Sequence, residues 1–230
     1  MGRDERTMSA PDDIAEAPRP VEELWLATDP LCGWCFAFRP VLAAVMAAEP
    51  SIPVRVLMGG LVLGGAAQPI AAMRDYIREG FGRIHALAGV DMGAGFAALL
   101  DAGTWIGDSE PPCRAIAVAE SLVEWKAVEM ADAASAALYE DGLDITDPTV
   151  LRGLAERIGL DGDHFAARLA SDEARELVQT CFAEARALGV TSYPLLAHRR
   201  DDTVTLLAQG WTPAATVLAR LAAVRDRRGG

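Results

Sequence analysis

Cysteine is scarce in this chain of 230 residues, which contains only four. Four cysteines are too few to stabilise a protein of this size as a disulfide-linked scaffold. The fold must therefore depend on a hydrophobic core, and 51% of the residues are apolar. A chain of this length buries roughly 70% of the surface that its unfolded form exposes. Length alone allows one large domain or two small ones.

Positive charge is also in short supply. Lys and Arg total 21 against 33 Asp and Glu, which gives a net charge of −12, and the sequence has no basic cluster. An acidic surface repels phosphate backbones and anionic lipid headgroups. We therefore expect neither a nucleic-acid partner nor a membrane partner.

Long hydrophobic runs are missing as well. Residues 1–23 are polar and carry none of the apolar core of a secretory signal. The longest apolar stretch near the start, from Val41 to Ala48, is too short to cross a bilayer. These features predict a cytoplasmic protein. In a reducing compartment, a Cys-x-x-Cys motif indicates redox chemistry or metal binding.

The hydrophobic pattern predicts strands at both ends of the chain and helices between them. A first strand, a helix and a second strand form a parallel unit with a right-handed crossover. The expected segments are a strand at 23–28, a helix at 32–48, a strand at 54–58, helices from 69 to 188, strands at 193–198 and 203–208, and a helix from Thr212 to about Val224.

This order predicts an α/β fold, with a thioredoxin-like sheet split by a large all-helical insertion. Residues 1–22 are expected to form a polar N-terminal tail, and residues 23–226 the domain itself. The helical insertion is expected at about 69–188. The sequence has no extended heptad and no evident interface stripe, so it indicates no particular oligomeric state.

The Cys32-Gly33-Trp34-Cys35 motif is the strongest chemical signal, because it lies where the first helix begins. Unpaired N–H groups and the helix dipole at that position favour an anion, and the thiolate is the reactive form of cysteine. Cys32 is therefore the expected nucleophile. Cys35, one turn deeper, is the expected resolving thiol, which displaces a mixed disulfide formed on Cys32.

A zinc site or a structural cysteine pair is the alternative interpretation of a Cys-x-x-Cys motif. A structural zinc site needs a second pair of ligands at suitable spacing. The other two cysteines, Cys113 and Cys181, are isolated in the sequence, and the three histidines fall elsewhere. The preceding strand and following helix favour a redox pair, with no metal and no cofactor beyond the cysteines.

Pro194 opens the predicted third strand within the segment Thr191-Ser192-Tyr193-Pro194. A proline cannot donate a hydrogen bond to a strand ladder, so it marks an edge or a special turn. Taken alone, an ordinary edge-strand proline is the more common case.

Together these motifs resemble the DsbA-like family of the thioredoxin superfamily, above all its branch of predicted cytoplasmic protein-disulfide isomerases. The resemblance spans about residues 24–222, and the helical middle is its least specific part. The segments that carry it are Asp-Pro-Leu-Cys-Gly-Trp-Cys-Phe at 29–36, Gly59-Gly60-Leu61, Pro112-Cys113-Arg114-Ala115, Ala187-Leu188-Gly189-Val190 with Tyr193-Pro194, and Gly210-Trp211.

The resemblance implies specific roles in substrate binding. Pro194 would be a cis-proline facing the two cysteines, and it would place the Tyr193 backbone beside Cys32, where an extended substrate segment can pair. Gly33, Trp34 and Tyr193 would line the substrate groove. Residues 59–65 are expected at its rim.

Two departures from the family pattern concern proton transfer and redox potential. Many thioredoxin-like proteins carry a buried carboxylate six residues before the first cysteine, where this chain has Leu26. Asp29 is nearer but is expected to be exposed, so Cys35 has no evident base. No histidine lies between the cysteines, and the protein is acidic. We therefore expect a redox potential more reducing than that of a periplasmic oxidant.

The two remaining cysteines are expected to be structural. Cys181 lies on an apolar helical stripe that includes Val178 and Leu188, which predicts a core thiol. Cys113 follows two prolines and precedes a helix. Burial is the expected state of Cys113, and a partly activated third thiol is the alternative.

The sequence therefore predicts a thiol–disulfide oxidoreductase or isomerase that acts on protein or peptide thiols and disulfides, with glutathione as a further candidate substrate. A glutathione-dependent enzyme similar to the kappa-class transferases is the rival within the same fold. A peptide-binding or chaperone module without catalysis is the rival from another class.

Overall fold

The computed structural model describes residues 22–226, so the predicted N-terminal tail lies almost wholly outside the described residues. Four strands form one mixed sheet in the order β2-β1-β3-β4. The first two strands pair in parallel, and the other two pairings are antiparallel. The strands are β1 (Glu22–Thr28), β2 (Val54–Met58), β3 (Leu195–Arg200) and β4 (Thr203–Gln209).

Nine α-helices accompany the sheet in the described part of the chain, and seven of them lie between β2 and β3. Short 3₁₀ turns at 64–66 and 70–73 precede these seven helices. The helices are α1 (Gly33–Ala48), α2 (Arg74–Ala88), α3 (Ala94–Ala102), α4 (Glu110–Leu122), α5 (Ala127–Tyr139), α6 (Pro148–Arg157), α7 (Gly162–Leu169), α8 (Asp172–Ala187) and α9 (Ala214–Asp226). This architecture confirms the predicted α/β fold with a helical insertion.

Alternation along β1 places its side chains on opposite faces of the sheet. Leu24 and Leu26 pack against α1 and α9 in one buried cluster. Ala27, on the other face, packs in a second cluster with Ala185 of α8. Thr28 follows the alternation of Leu24 and Leu26, and it therefore faces α1, which begins with the cysteine pair.

The largest cluster of buried side chains belongs to the helical insertion. Phe36 and Ala37 of α1 are part of it, so the first turns of α1 are held between the sheet and the insertion. Burying large aromatic and aliphatic side chains stabilises such a junction by about 1.5–3 kcal/mol per residue. Helix α1 is thus fixed from two sides.

Helix-capping residues explain several element boundaries. The Asp147 carboxylate accepts from the Thr149 backbone N–H at the start of α6, and the Ser171 hydroxyl accepts from Ala174 at the start of α8. The third strand begins at Leu195 rather than at the predicted Tyr193, because Pro194 has no N–H to donate to the ladder.

Within residues 22–226, no helix is long and apolar enough to span a bilayer.

Candidate functional site

Cys32 is the N-cap residue of α1. Its backbone is extended, and its sulfur accepts a hydrogen bond from the Cys35 backbone N–H at 3.3 Å. The Cys32 sulfur therefore lies where the helix presents unpaired N–H groups and the positive end of its dipole. This local geometry stabilises negative charge on the sulfur.

Cys35 lies in the first turn of the same helix, and its side chain is buried, with 5% exposure. Burial raises the pKa of the Cys35 thiol well above its ordinary value, and the neighbouring Cys32 adds to that rise. Hydrogen bonds to the Cys35 sulfur from the Thr28 side chain and the Asp29 backbone act in the opposite direction. Cys35 is therefore held as a neutral thiol directly behind the Cys32 sulfur.

The Tyr193–Pro194 peptide bond is cis and faces the cysteine pair. The Cys32 thiol donates to the Tyr193 carbonyl oxygen across 3.8 Å, which joins residues separated by 161 positions in the chain. Gly59, at the end of β2, lies against the Tyr193 ring so closely that an added Cβ would overlap the hydroxyl. A glycine is required at position 59 for Tyr193 to occupy this place.

A groove of about 550 Å³ opens over Cys32. The predicted groove residues Gly33, Trp34 and Tyr193 all line it, and so do Leu61 and Val62 from the predicted rim segment. The insertion supplies the opposite wall. Its lining residues include Gln68, Ile70, Met73, Tyr76, Ile77, Phe81, Arg83, Ile84 and Trp105.

Aromatic packing holds the base of the groove. The rings of Phe81 and Phe96 lie 5.4 Å and 4.7 Å from the Tyr139 ring, centroid to centroid. The Tyr139 hydroxyl donates to the Leu31 carbonyl at 2.6 Å, directly before Cys32. Burial, together with the nearby Cys32 sulfur and Asp29, raises the pKa of Tyr139 well above its ordinary value, so this donor stays protonated.

Asp29 is fully buried, so the expectation that it is exposed was wrong. One oxygen accepts from the Leu31 N–H at 2.9 Å and the Ser109 hydroxyl at 2.9 Å. The other accepts from the Leu61 N–H at 2.7 Å and contacts the Cys113 thiol at 3.9 Å. Asp29 therefore ties the active-site loop, the groove rim and the start of α4 together.

Burial is the largest influence on the Asp29 carboxyl group and raises its pKa, although the hydrogen-bond donors around it oppose that rise. Because those donors engage both oxygens, the carboxylate is occupied in holding loops together. Leu26, six residues before Cys32, is also buried and offers no acid group. Glu23 lies on the other face of β1 and pairs with Arg199 at 2.6 Å.

The sequence model of the DSBA-like thioredoxin domain matches residues 26–209, most of the chain and both halves of the site. The chain belongs to the DSBA-like thioredoxin domain family. It is accordingly a thiol–disulfide oxidoreductase, as the resemblance predicted. No curated protein matches the chain.

Solved structures with the same fold superpose over most of the chain. The cytosolic disulfide reductase DsbM from Pseudomonas aeruginosa is 28% identical, with a TM-score of 0.73, covering 88% of this chain and 98% of DsbM. The structure of DsbM with GSH is 28% identical to this chain, with a TM-score of 0.72. The match covers 88% of this chain and 99% of that DsbM chain. A candidate protein disulfide isomerase from Nitrosomonas europaea has the same fold at 21% identity, with a TM-score of 0.78. The match covers 90% of this chain and 98% of the Nitrosomonas chain.

The other two cysteines of this DSBA-like protein differ in burial. Cys113 is fully buried, and burial raises the pKa of its thiol well above the ordinary value, with Asp29 as a further cause. Burial of Cys113 is thus confirmed. Cys181 is only partly buried, so the predicted core thiol lies at the edge of the core. Leu188, on the same predicted stripe, is 43% exposed because it follows the last turn of α8.

Residues that could bind a metal ion do not cluster in the described part of the structure. From residue 22 to residue 226, no group of three or more His, Cys, Asp or Glu side chains is placed to hold a metal ion. Cys113 contacts Asp29 rather than either member of the Cys32–Cys35 pair.

Proposed function

We propose that the protein exchanges disulfides with its substrates through a mixed disulfide on Cys32, which Cys35 resolves. The arrangement of the two sulfurs gives this proposal its main support. Cys32 opens into a groove of about 550 Å³, and Cys35 lies behind it in the same helical turn. Cys32 is 7% exposed and lines the groove, and Cys35 is held within reach of it.

In the reductive direction, the Cys32 thiolate attacks one sulfur of a substrate disulfide. An S–S bond forms to Cys32, and the other substrate sulfur leaves as a thiolate and takes up a proton from solvent. Cys35 then loses its proton and attacks the Cys32 sulfur, which releases the second substrate thiolate. Two electrons pass to the substrate, and the Cys32–Cys35 disulfide is reduced again by an external thiol.

The groove supports peptide and protein thiols or disulfides as substrates. Its wall is largely apolar, and the Tyr193 carbonyl beside Cys32 is a backbone acceptor at the position where an extended segment would lie. Trp34 and Tyr193 then contact the residues that flank the substrate sulfur. The assignment of these roles to Gly33, Trp34, Tyr193 and Pro194 is part of the proposal.

Glutathione is the small-molecule thiol that we propose for the same groove. DsbM, 28% identical to this chain, is described in a structure with GSH. Arg83 and Gln68 line the groove and can bind the carboxylate groups of a tripeptide. Both cysteines are present, which favours dithiol exchange over a single-thiol transferase reaction. A cytoplasmic location is proposed as well, since the DsbM relative is described as cytosolic.

A trapping experiment with Cys35→Ser tests the mixed disulfide. Without the resolving thiol, the intermediate should accumulate on Cys32 when the reduced variant meets oxidised glutathione or a disulfide-linked peptide. Peptide mapping by mass spectrometry identifies the modified cysteine, and Cys113→Ser serves as the matched control, because its thiol is buried away from the groove. Adducts on Cys181 alone, or none at all, would contradict the proposal.

A further inference from the structure

The two cysteines of the active site open to different cavities. Cys32 lines the substrate groove, together with Tyr193. Cys35 lines a second cavity of about 540 Å³ between α1 and α5, together with Pro194. Among the described residues, neither cysteine lines the other's cavity. The first turn of α1 therefore separates the substrate groove from the second cavity.

Two residues with hydroxyl groups line the second cavity together with Cys35. Thr28 lines the cavity, and its side chain acts to lower the pKa of the Cys35 thiol, against the larger effect of burial. Ser135 of α5 also lines the cavity and is 4% exposed. Its hydroxyl makes no hydrogen bond to any residue that the structure describes. A hydroxyl that faces a cavity and has no protein partner is a site for an ordered water.

Charged side chains surround the outer part of this cavity. Arg39 pairs with Asp132 at 2.6 Å, and the Asp132 side chain is about half exposed, so the cavity reaches the surface beside a hydrated ion pair. Glu129 and Arg157 belong to the same lining. A path lined by apolar walls, two hydroxyls and a charged mouth admits a short file of water molecules.

Such a path meets a need that the rest of the site leaves open. Cys35 must lose a proton before it attacks the Cys32 sulfur, and burial opposes that loss. Leu26 supplies no base, and the Asp29 carboxylate is engaged by donors from its own loop and from two other segments. The proton of Cys35 therefore needs an acceptor other than these two residues.

We propose that the proton of Cys35 leaves through the cavity between α1 and α5, with Thr28 as a catalytic residue and Ser135 as a positioning residue. Water held by Ser135 takes the proton as the Cys35 S–H bond breaks, and the proton passes to solvent at the mouth. The Thr28 hydroxyl donates to the thiolate that remains. This inference rests on the proposed dithiol mechanism.

Single-turnover kinetics with dipyridyl disulfide as the probe separate the two steps. One equivalent added to the fully reduced protein releases one pyridinethione when Cys32 attacks and a second when Cys35 resolves the mixed disulfide. A Cys181→Ser background removes the partly exposed thiol. The first release reports attack and an intact fold, and the second reports the step assigned to Thr28 and Ser135.

Thr28→Val, which keeps the shape and removes the hydroxyl, should slow the second release by about ten- to hundredfold, because the thiolate loses a donor. The first release should change less than twofold. The pH profile of the second release should move to higher pH, and Thr28→Ser should restore both rate and profile. Ser135→Ala should slow the second release by about threefold or more.

An unchanged second release in both Thr28→Val and Ser135→Ala would overturn the inference, as would a defect that Thr28→Ser fails to restore. Equal slowing of both releases would also overturn it, because the role would then be structural. If the parent protein with both active-site cysteines released no second pyridinethione, the dithiol mechanism itself would fail. The two failures are therefore distinguishable.

Discussion

Replacing Cys32 with serine should abolish disulfide exchange, with a fall in kcat/KM of about a thousandfold or more. A serine hydroxyl at the same N-cap still accepts the Cys35 N–H, so helix α1 should remain intact. The hydroxyl is nevertheless a far weaker nucleophile than a thiolate toward sulfur. Turnover of a fluorescent disulfide-linked peptide with a thiol reductant measures the loss.

Cys181→Ser is the matched control for that experiment, because Cys181 is a partly buried thiol of α8 outside the groove lining. We expect its kcat/KM to stay within twofold of the parent. Full activity of Cys32→Ser in an aggregation assay, together with no exchange activity in the parent protein, would instead favour the peptide-binding alternative. Loss of exchange in both serine variants would show that Cys32 has no special role.

Gly59→Ala should lower kcat/KM by about tenfold without changing the catalytic cysteines. An added Cβ would overlap the Tyr193 hydroxyl and ring, so the ring must leave its place against Gly59. Overpacking of this kind costs about 1–3 kcal/mol. Because Tyr193 lies in the groove wall, we expect the loss mainly in KM for peptide substrates, measured by steady-state kinetics.

Gly82→Ala controls for the loss of a glycine. Gly82 lies in α2, an added Cβ there meets nothing within 4 Å, and it does not line the groove. Alanine should stabilise this helix by about 0.5–1 kcal/mol and leave kinetics unchanged. If Gly59→Ala behaved like Gly82→Ala in thermal unfolding and in kinetics, the placement of Tyr193 would be irrelevant to substrate binding.

Local sequence signals predicted the parts of the site that lie close together in the chain. The break at Asp29-Pro30 followed by a helical pattern located Cys32 at a helix start, and the structure has it as the N-cap. The hydrophobic period and the length of each apolar segment distinguished the strands near the two ends of the chain from the helices between them. These properties depend on a few neighbouring residues, so the sequence alone determines them.

The insertion's part in the groove was not predictable in the same way. Phe81 and Trp105 lie in stretches whose only local signal is apolar character, and that signal suits a core residue equally well. Their place opposite Cys32 depends on how α2 and the loop before α4 pack against α1. Such long-range packing leaves no periodic trace in the sequence.

The mistaken expectation that Asp29 is exposed arose from its local sequence. Asp-Pro is typical of a turn, and turns are usually exposed. Here the carboxylate accepts hydrogen bonds from Leu31, from Leu61 and from Ser109, two of them far away in the chain. Only the folded structure brings these donors together, and their hydrogen bonds offset the cost of burying the carboxylate.

The Cys32–Cys35 redox couple is tested most directly by equilibrating the protein in glutathione buffers of graded potential, trapping free thiols and mapping them by mass spectrometry. We expect one reversible two-electron transition confined to Cys32 and Cys35. Its midpoint should be clearly more reducing than the value of about −120 mV typical of a periplasmic oxidant. No transition, or one that requires Cys113 or Cys181, would contradict the central claim.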